Sequence, residues 1–235
     1  MPTPLEIAVA VLVAVVWPAW EHFVAWPRFV ARIRGGAPDG RIVGYRITLV
    51  TEWSLTAVVG IAAWLARRPA SSLGLVVRSG AALGVELAAC AAIGVLLVRQ
   101  IAKVRASAKA REAVRRQLAR AGGLESLPPR TPAELRAFVA LSVTAGVCEE
   151  FLFRGFLIAV LAAFMPAWLG AVVSAVFFGV AHSYQGGRGV LSIAMFGLVM
   201  GLLYVWAGSL LPVVLLHIVV DAGNGLTSYF ALRPE

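Results

Sequence analysis

Charge is scarce in this chain, and cysteine scarcer still. Only 14% of the 235 residues are Asp, Glu, Lys or Arg, against about a quarter in an ordinary soluble domain. The two cysteines, Cys90 and Cys148, both lie in apolar runs. They leave no disulfide framework and no CxxC metal site, and reduced, buried thiols are expected. The zinc-peptidase motif HExxH is absent. Ser174 and Ser183 lie in no nucleophile-elbow motif, which discounts a serine nucleophile. No basic stretch precedes the first apolar run, so that run is read as a retained span and not a cleaved signal peptide. The apolar runs lack polar alternation, which excludes a membrane barrel.

What is present is hydrophobicity, at 60% of residues. A bilayer core of about 30 Å needs about 20 apolar residues per helix. Seven such segments can be drawn: Leu5 to Trp26, interrupted by Pro18; Arg46 to Ala66; Ser79 to Val98; Leu135 to Phe164, ended by Pro166; Trp168 to His182; Gly189 to Ala207; and Gly208 to Tyr229. The expected fold is an all-α polytopic bundle in three parts: a three-span region over 1–98, a basic linker over 99–130 and a four-span catalytic core over 131–235. Thr131 and Pro132 read as the N-cap and first turn of the core's first helix.

The net charge of +9 follows topology. Seventeen of the 21 Lys and Arg fall on one side of the spans, Arg67, Arg68 and Arg78 on the other, and Arg154 within a span. The positive side is cytoplasmic, which puts the C-terminus there. Nucleic-acid binding is excluded, since the basic stretch has no interleaved aromatics and no binding motif. Gln100 to Gly122 reads as a basic amphipathic helix, either attracting anionic lipid headgroups or simply connecting spans. Gly122-Gly123 and Pro128-Pro129 separate it from the core.

Ionisable residues inside a span are costly and point to function. The last four segments hold Glu149, Glu150, Arg154, His182, His217 and Asp221. Glu150 and Arg154 are i, i+4 and can pair, while Glu149, rotated by about 100° in an α-helix, stays free. Phe178 and His182 share one helical face; His217, Asp221 and Asn224 share another. A glutamate with a histidine can hold and deprotonate a water, and a second histidine with an amide or acid can support an oxyanion. Glu21, His22, Glu52 and Glu86 are further polar residues in or near spans, with no chemistry assigned.

The stretches Glu149-Glu150-Phe151-Leu152-Phe153-Arg154, Phe178-Gly179-Val180-Ala181-His182 and His217-Ile218-Val219-Val220-Asp221 read EExxxR, FxxxH and HxxxD in that order. Over about residues 131–229 the chain resembles the CAAX protease and bacteriocin-processing (Abi) family of glutamic-type intramembrane proteases. The resemblance implies a metal-free, cofactor-free hydrolase acting on a membrane-associated protein or peptide. Glu149 would activate water with His182. Glu150 and Arg154 would shape the site and balance its charge, with Phe178 packing beside it. His217 would help form the oxyanion hole with position 221. That position holds aspartate here, where many members have asparagine. An ionised Asp221 cannot donate a hydrogen bond, so it is protonated, or it orients His217, or Asn224 supplies the amide. A zinc peptidase using Glu149, His182, His217 and Asp221 is the runner-up, and a non-enzymatic immunity or transport protein the alternative of another class. The resemblance implies a range of substrates: prenylated C-termini, bacteriocin precursors, signal-peptide remnants and C-terminal sorting signals. The alanine- and arginine-rich composition suggests a GC-rich bacterial genome and so an inner-membrane protein, which argues against prenylated substrates and leaves a C-terminal sorting or anchor segment of an exported protein as the expected one.

Overall fold

In a computed structural model the chain is described over residues 1–76, 80–120 and 124–233. Ser79, Arg78 and the Gly122-Gly123 pair fall outside them. The described residues form helices and no strands: α1 (Pro4–Arg34), α2 (Gly40–Leu65), α3 (Ala81–Ala106), α4 (Ala108–Arg120), α5 (132–161), α6 (Ala167–Ala181), α7 (Gly186–Ala207) and α8 (Leu211–Leu232). The chain is an all-α membrane bundle.

Five helices are long and apolar enough to cross a bilayer: α1, α2, α3, α7 with its preceding turn, and α8. The other two expected spans differ for physical reasons. Helix α5 carries Glu134, Arg136, Glu149, Glu150 and Arg154 along its length, so it is too charged to read as an ordinary span. Helix α6 has 15 residues, a length of about 22 Å at 1.5 Å per residue. That is short of the hydrocarbon thickness, so its C-terminal end stops inside the bundle.

Several expected boundaries are corrected. Helix α1 runs on past Trp26 to Arg34 and is not broken at Pro18. Two π-helical stretches, Leu12–Val16 and Glu21–Ala25, precede Pro18 and Pro27. The widened turns absorb the missing amide and the ring, which would clash in a regular α-helix. The single basic helix expected from Gln100 is two elements. Residues 100–106 continue α3, Ser107 breaks the helix with an extended backbone, and its hydroxyl accepts from Ala110 N–H at 3.3 Å. Helix α5 ends at Leu161, and Pro166 caps the start of α6 instead. Gly208 is not the start of α8 but a left-handed turn residue (φ 66°) before it.

Helix α5 is the centre of the half that carries the three motifs. Its start is the expected capping box, with Thr131 Oγ1 accepting from Glu134 N–H at 3.2 Å. Helices α2 and α8 both pack along α5, α8 also packs on α3, α6 on α7, and α4 against α8. Gly146 allows the α5–α8 approach. A Cβ there would stand 3.2 Å from the Val214 carbonyl oxygen and 3.2 Å from the Ile218 nitrogen. The linker is tied to α2: Arg41 donates to the Ser126 carbonyl at 2.9 Å and pairs with Glu134 at 3.5 Å. At the opposite end, the Leu210 N–H donates to the Gly74 carbonyl at 2.9 Å, joining the α2–α3 connection to the α7–α8 turn.

Candidate active site

The three motifs converge in the membrane interior. Residues 150–157 of α5 are π-helical, where the sequence reading assumed a regular α-helix. Insertions of this kind are frequent at functional sites, and both glutamates at its start are buried.

Glu150 is fully buried, and its Oε1 lies 3.1 Å from Arg154 Nη1, an ion pair one turn apart. The same oxygen is 2.7 Å from His217 Nδ1. The sequence reading tied Glu150 to Arg154 alone and missed this second bond, because no local spacing links residues 150 and 217. Arg154, itself 1% exposed, also donates to the Gly197 carbonyl at 3.4 Å, and its guanidinium sits 4.2 Å from the Phe178 ring centroid. Gly197 makes room for both: a Cβ there would lie 2.9 Å from the Phe178 ring and 3.3 Å from Arg154 Nη2. Phe178 therefore stacks on the buried cation, an attraction that desolvation strengthens.

Glu149 faces the other way, toward the two histidines. Its carboxylate oxygens lie 4.0 Å from His182 Nε2 and 3.8 Å from His217 Nε2. Both separations exceed a direct hydrogen bond and suit groups joined through a small third molecule. The ring tautomers follow from the remaining contacts. His182 Nδ1 is 2.9 Å from the Phe178 carbonyl, and His217 Nδ1 meets the Glu150 carboxylate; carbonyls and carboxylates only accept. Each ring thus carries a proton on Nδ1, and each Nε2 faces Glu149. As an oxyanion donor, His217 has to be the imidazolium, with Glu150 as its counter-ion.

The depth of His182 follows from the short α6. The helix stops at Ala181, and a 3-10 turn, Ser183–Gln185, leads into α7. Non-helical backbone at membrane depth is tolerated where it lines a cavity, and His182, Tyr184 and Gln185 do so. The cavity, about 710 Å³, also takes in Glu149, His217, Asp221, Asn224 and Phe178. Asp221 Oδ2 lies 3.7 Å from His217 Nε2, and its side chain is 37% exposed. Glu150 and Arg154 sit behind the cavity wall.

The cavity wall includes residues to which the sequence reading assigned no chemistry. Glu21 of α1 and Glu52 of α2 line it, and His22 Nδ1 is 2.9 Å from Ser183 Oγ beside His182. Trp26 packs on Tyr184 with ring centroids 4.6 Å apart. The signal for Glu52 was present in the sequence, as an acid in mid-span; its meeting with residue 149 was not. Ser174 gives its hydroxyl to the Phe153 carbonyl at 2.7 Å, a packing role. Among the described residues no three His, Cys, Asp or Glu form a group that could hold a metal ion.

No curated protein and no solved structure matches the chain. A family model does: type II CAAX prenyl endopeptidase, Rce1-like, over residues 131–223. That stretch begins at the α5 cap and contains all three motifs. Over these residues the chain is similar to the Rce1-like, CAAX-type intramembrane proteases.

Proposed function

We propose that the chain is a glutamic-type intramembrane endopeptidase in which Glu149, with His182, activates a water. The observation that carries this reading is the convergence of two imidazole Nε2 atoms on the Glu149 carboxylate at 3.8 and 4.0 Å. A water held there gives one proton toward Glu149 and the other toward His182, leaving its oxygen lone pair for the scissile carbonyl. Attack forms the C–O bond and moves the carbonyl electrons onto oxygen, where the His217 imidazolium donates from Nε2. Collapse breaks the C–N bond, and Glu149 passes its proton to the leaving amine. No covalent enzyme intermediate is required.

The proposed substrate is a membrane-associated protein or peptide, in particular a C-terminal sorting or anchor segment of an exported protein. The proposed location is a bacterial inner membrane with the C-terminus in the cytoplasm. Comparative proteomics of membranes from a deletion strain and from strains complemented with wild type or Glu149→Gln tests both chemistry and substrate. The expected result is a set of proteins that keep a terminal segment in the deletion and Glu149→Gln strains and lose it with wild type. Processing that survives Glu149→Gln, with the protein still in the membrane, overturns the reading. Processing abolished by a tight zinc chelator in purified protein overturns its metal-free form.

A further inference from the structure

Glu52 is 3% exposed in the middle of α2, outside the stretch 131–223 that carries the motifs. Its Oε2 has no hydrogen-bond partner. Tyr45, Thr48 and Glu52 lie on one helical face, and all three line the 710 Å³ cavity. The Glu52 carboxylate lies within electrostatic reach of Glu149, Glu21 and Asp221. Four carboxylates from four helices therefore border one space.

The cations bordering it do not match them. Arg154 is behind the wall and engaged by Glu150 and Phe178. Arg28 and Arg32 line the cavity but are exposed. His182 and His217 are the titratable bases near Glu149, and both are drawn to Glu149 and not to Glu52. A buried carboxylate without a partner is costly, and structural packing gives no return for it here: no cap, no ion pair and no hydrogen bond to Oε2. A group that supplies a positive charge on arrival does.

We infer that Glu52, with Glu21 opposite on α1, forms a subsite for a cationic group of the substrate, a lysine or arginine side chain near the scissile bond. This rests on the peptidase reading above and names the substrate chemistry of the same site. Glu52 is then a specificity-determining residue: it selects which peptide enters, while Glu149 acts on the bond.

The test uses the full-length protein in proteoliposomes and a set of internally quenched, hydrophobic peptides identical except for one residue. Lysine, norleucine or glutamate is placed at each position around the cleavage site in turn. Wild type is expected to favour a lysine peptide over its norleucine twin by at least about tenfold in kcat/KM, since an unpaired buried charge is worth that much or more. Glu52→Gln is expected to erase the preference by slowing the lysine peptide and leaving the norleucine peptide within about twofold. Glu52→Lys is expected to invert it toward glutamate. Binding of fluorescent lysine and norleucine peptides to the Glu149→Gln protein gives the same comparison without turnover. Equal loss on both peptides, or no preference in wild type, overturns the subsite. Cleavage that persists in Glu149→Gln overturns the peptidase reading instead, so the two failures are distinguishable.

Discussion

Two buried glutamate–arginine pairs, one at each level of the molecule, are surrounded very differently. Near the start of α1, Glu6 is 1% exposed and pairs with Arg68 beyond α2. Its other contacts come from its own helix cap: the Thr3 N–H donates to it at 2.8 Å and the Thr3 hydroxyl at 3.1 Å. Arg68 also reaches the Ala159 carbonyl at 3.4 Å. In the membrane interior, Glu150 pairs with Arg154, yet Glu150 Oε2 has no partner and the Arg154 Nη1 contact is an ion pair without hydrogen-bond alignment. The first pair is satisfied on all sides and fastens α1 to the α2–α3 connection and α5. The second is incompletely satisfied and hands one oxygen to His217. A network left partly open in a dry interior is costly as structure, and under the proposed function the difference marks where the molecule accepts that cost for chemistry.

The sharpest test of that contrast lies next to it, at Glu149. Glu149→Gln keeps size and hydrogen bonding but removes the proposed base. It is expected to lower kcat/KM about 10³-fold while leaving thermal unfolding in detergent nearly unchanged; the range for a general base is about 10²–10⁴. Loss of folding with activity would make Glu149 a structural acid like Glu6. Next in size, Arg154→Met leaves Glu150 buried without its cation and is expected to cost about 3–5 kcal/mol, read as a large drop in the unfolding midpoint. Arg68→Met leaves Glu6 its Thr3 bonds and is expected to cost roughly 1–2 kcal/mol. Equal destabilisation by the two changes would erase the distinction between them.

Apolar run length gave the all-α bundle, and the helix start at Thr131 was legible from Thr-Pro-x-Glu, because both are local properties. The three motifs and their facing stripes were also legible, since i, i+4 spacing decides which side chains share a face. Three features were not. The π-helical turn at 150–157 has no sequence signature of its own, unlike the two in α1 that precede Pro18 and Pro27. The Glu150–His217 bond joins residues 67 apart and depends on Gly146 letting α8 close on α5. Glu52 was visible as a misplaced charge, but its presence in the catalytic cavity depends on how α2 lies along α5, which periodicity in one helix does not encode.

A smaller effect separates the frame of the catalytic half from its chemistry. Thr131→Ala removes the cap hydroxyl that Glu134 N–H uses and half of the capping box. It is expected to cost about 1 kcal/mol of stability with kcat/KM unchanged, measured by thermal unfolding and peptide cleavage on the same preparation. A fall in kcat/KM of tenfold or more would mean that the α5 start controls the position of Glu149, 18 residues away along the same regular helix.

The smallest effect expected is at Asp221. Its carboxylate is half-exposed to the cavity and lies 3.7 Å from His217 Nε2, while His217 is already oriented from its other nitrogen by Glu150 at 2.7 Å. Orientation of the ring therefore does not depend on Asp221. If His217 donates to the oxyanion as an imidazolium, an ionised Asp221 adds a negative charge beside a developing negative charge, and asparagine would replace it with a neutral amide that can donate. Asp221→Asn is thus expected to change kcat/KM by less than about threefold, and in the upward direction, with Asn224 one turn on still lining the same cavity; a preserved single-donor site sets that modest scale. A loss of tenfold or more would assign the ring's orientation or charge to Asp221 instead of Glu150. The contrast drawn above would then shift, with the open network running through Asp221 and the buried pair behind it reduced to the same structural role as Glu6 and Arg68.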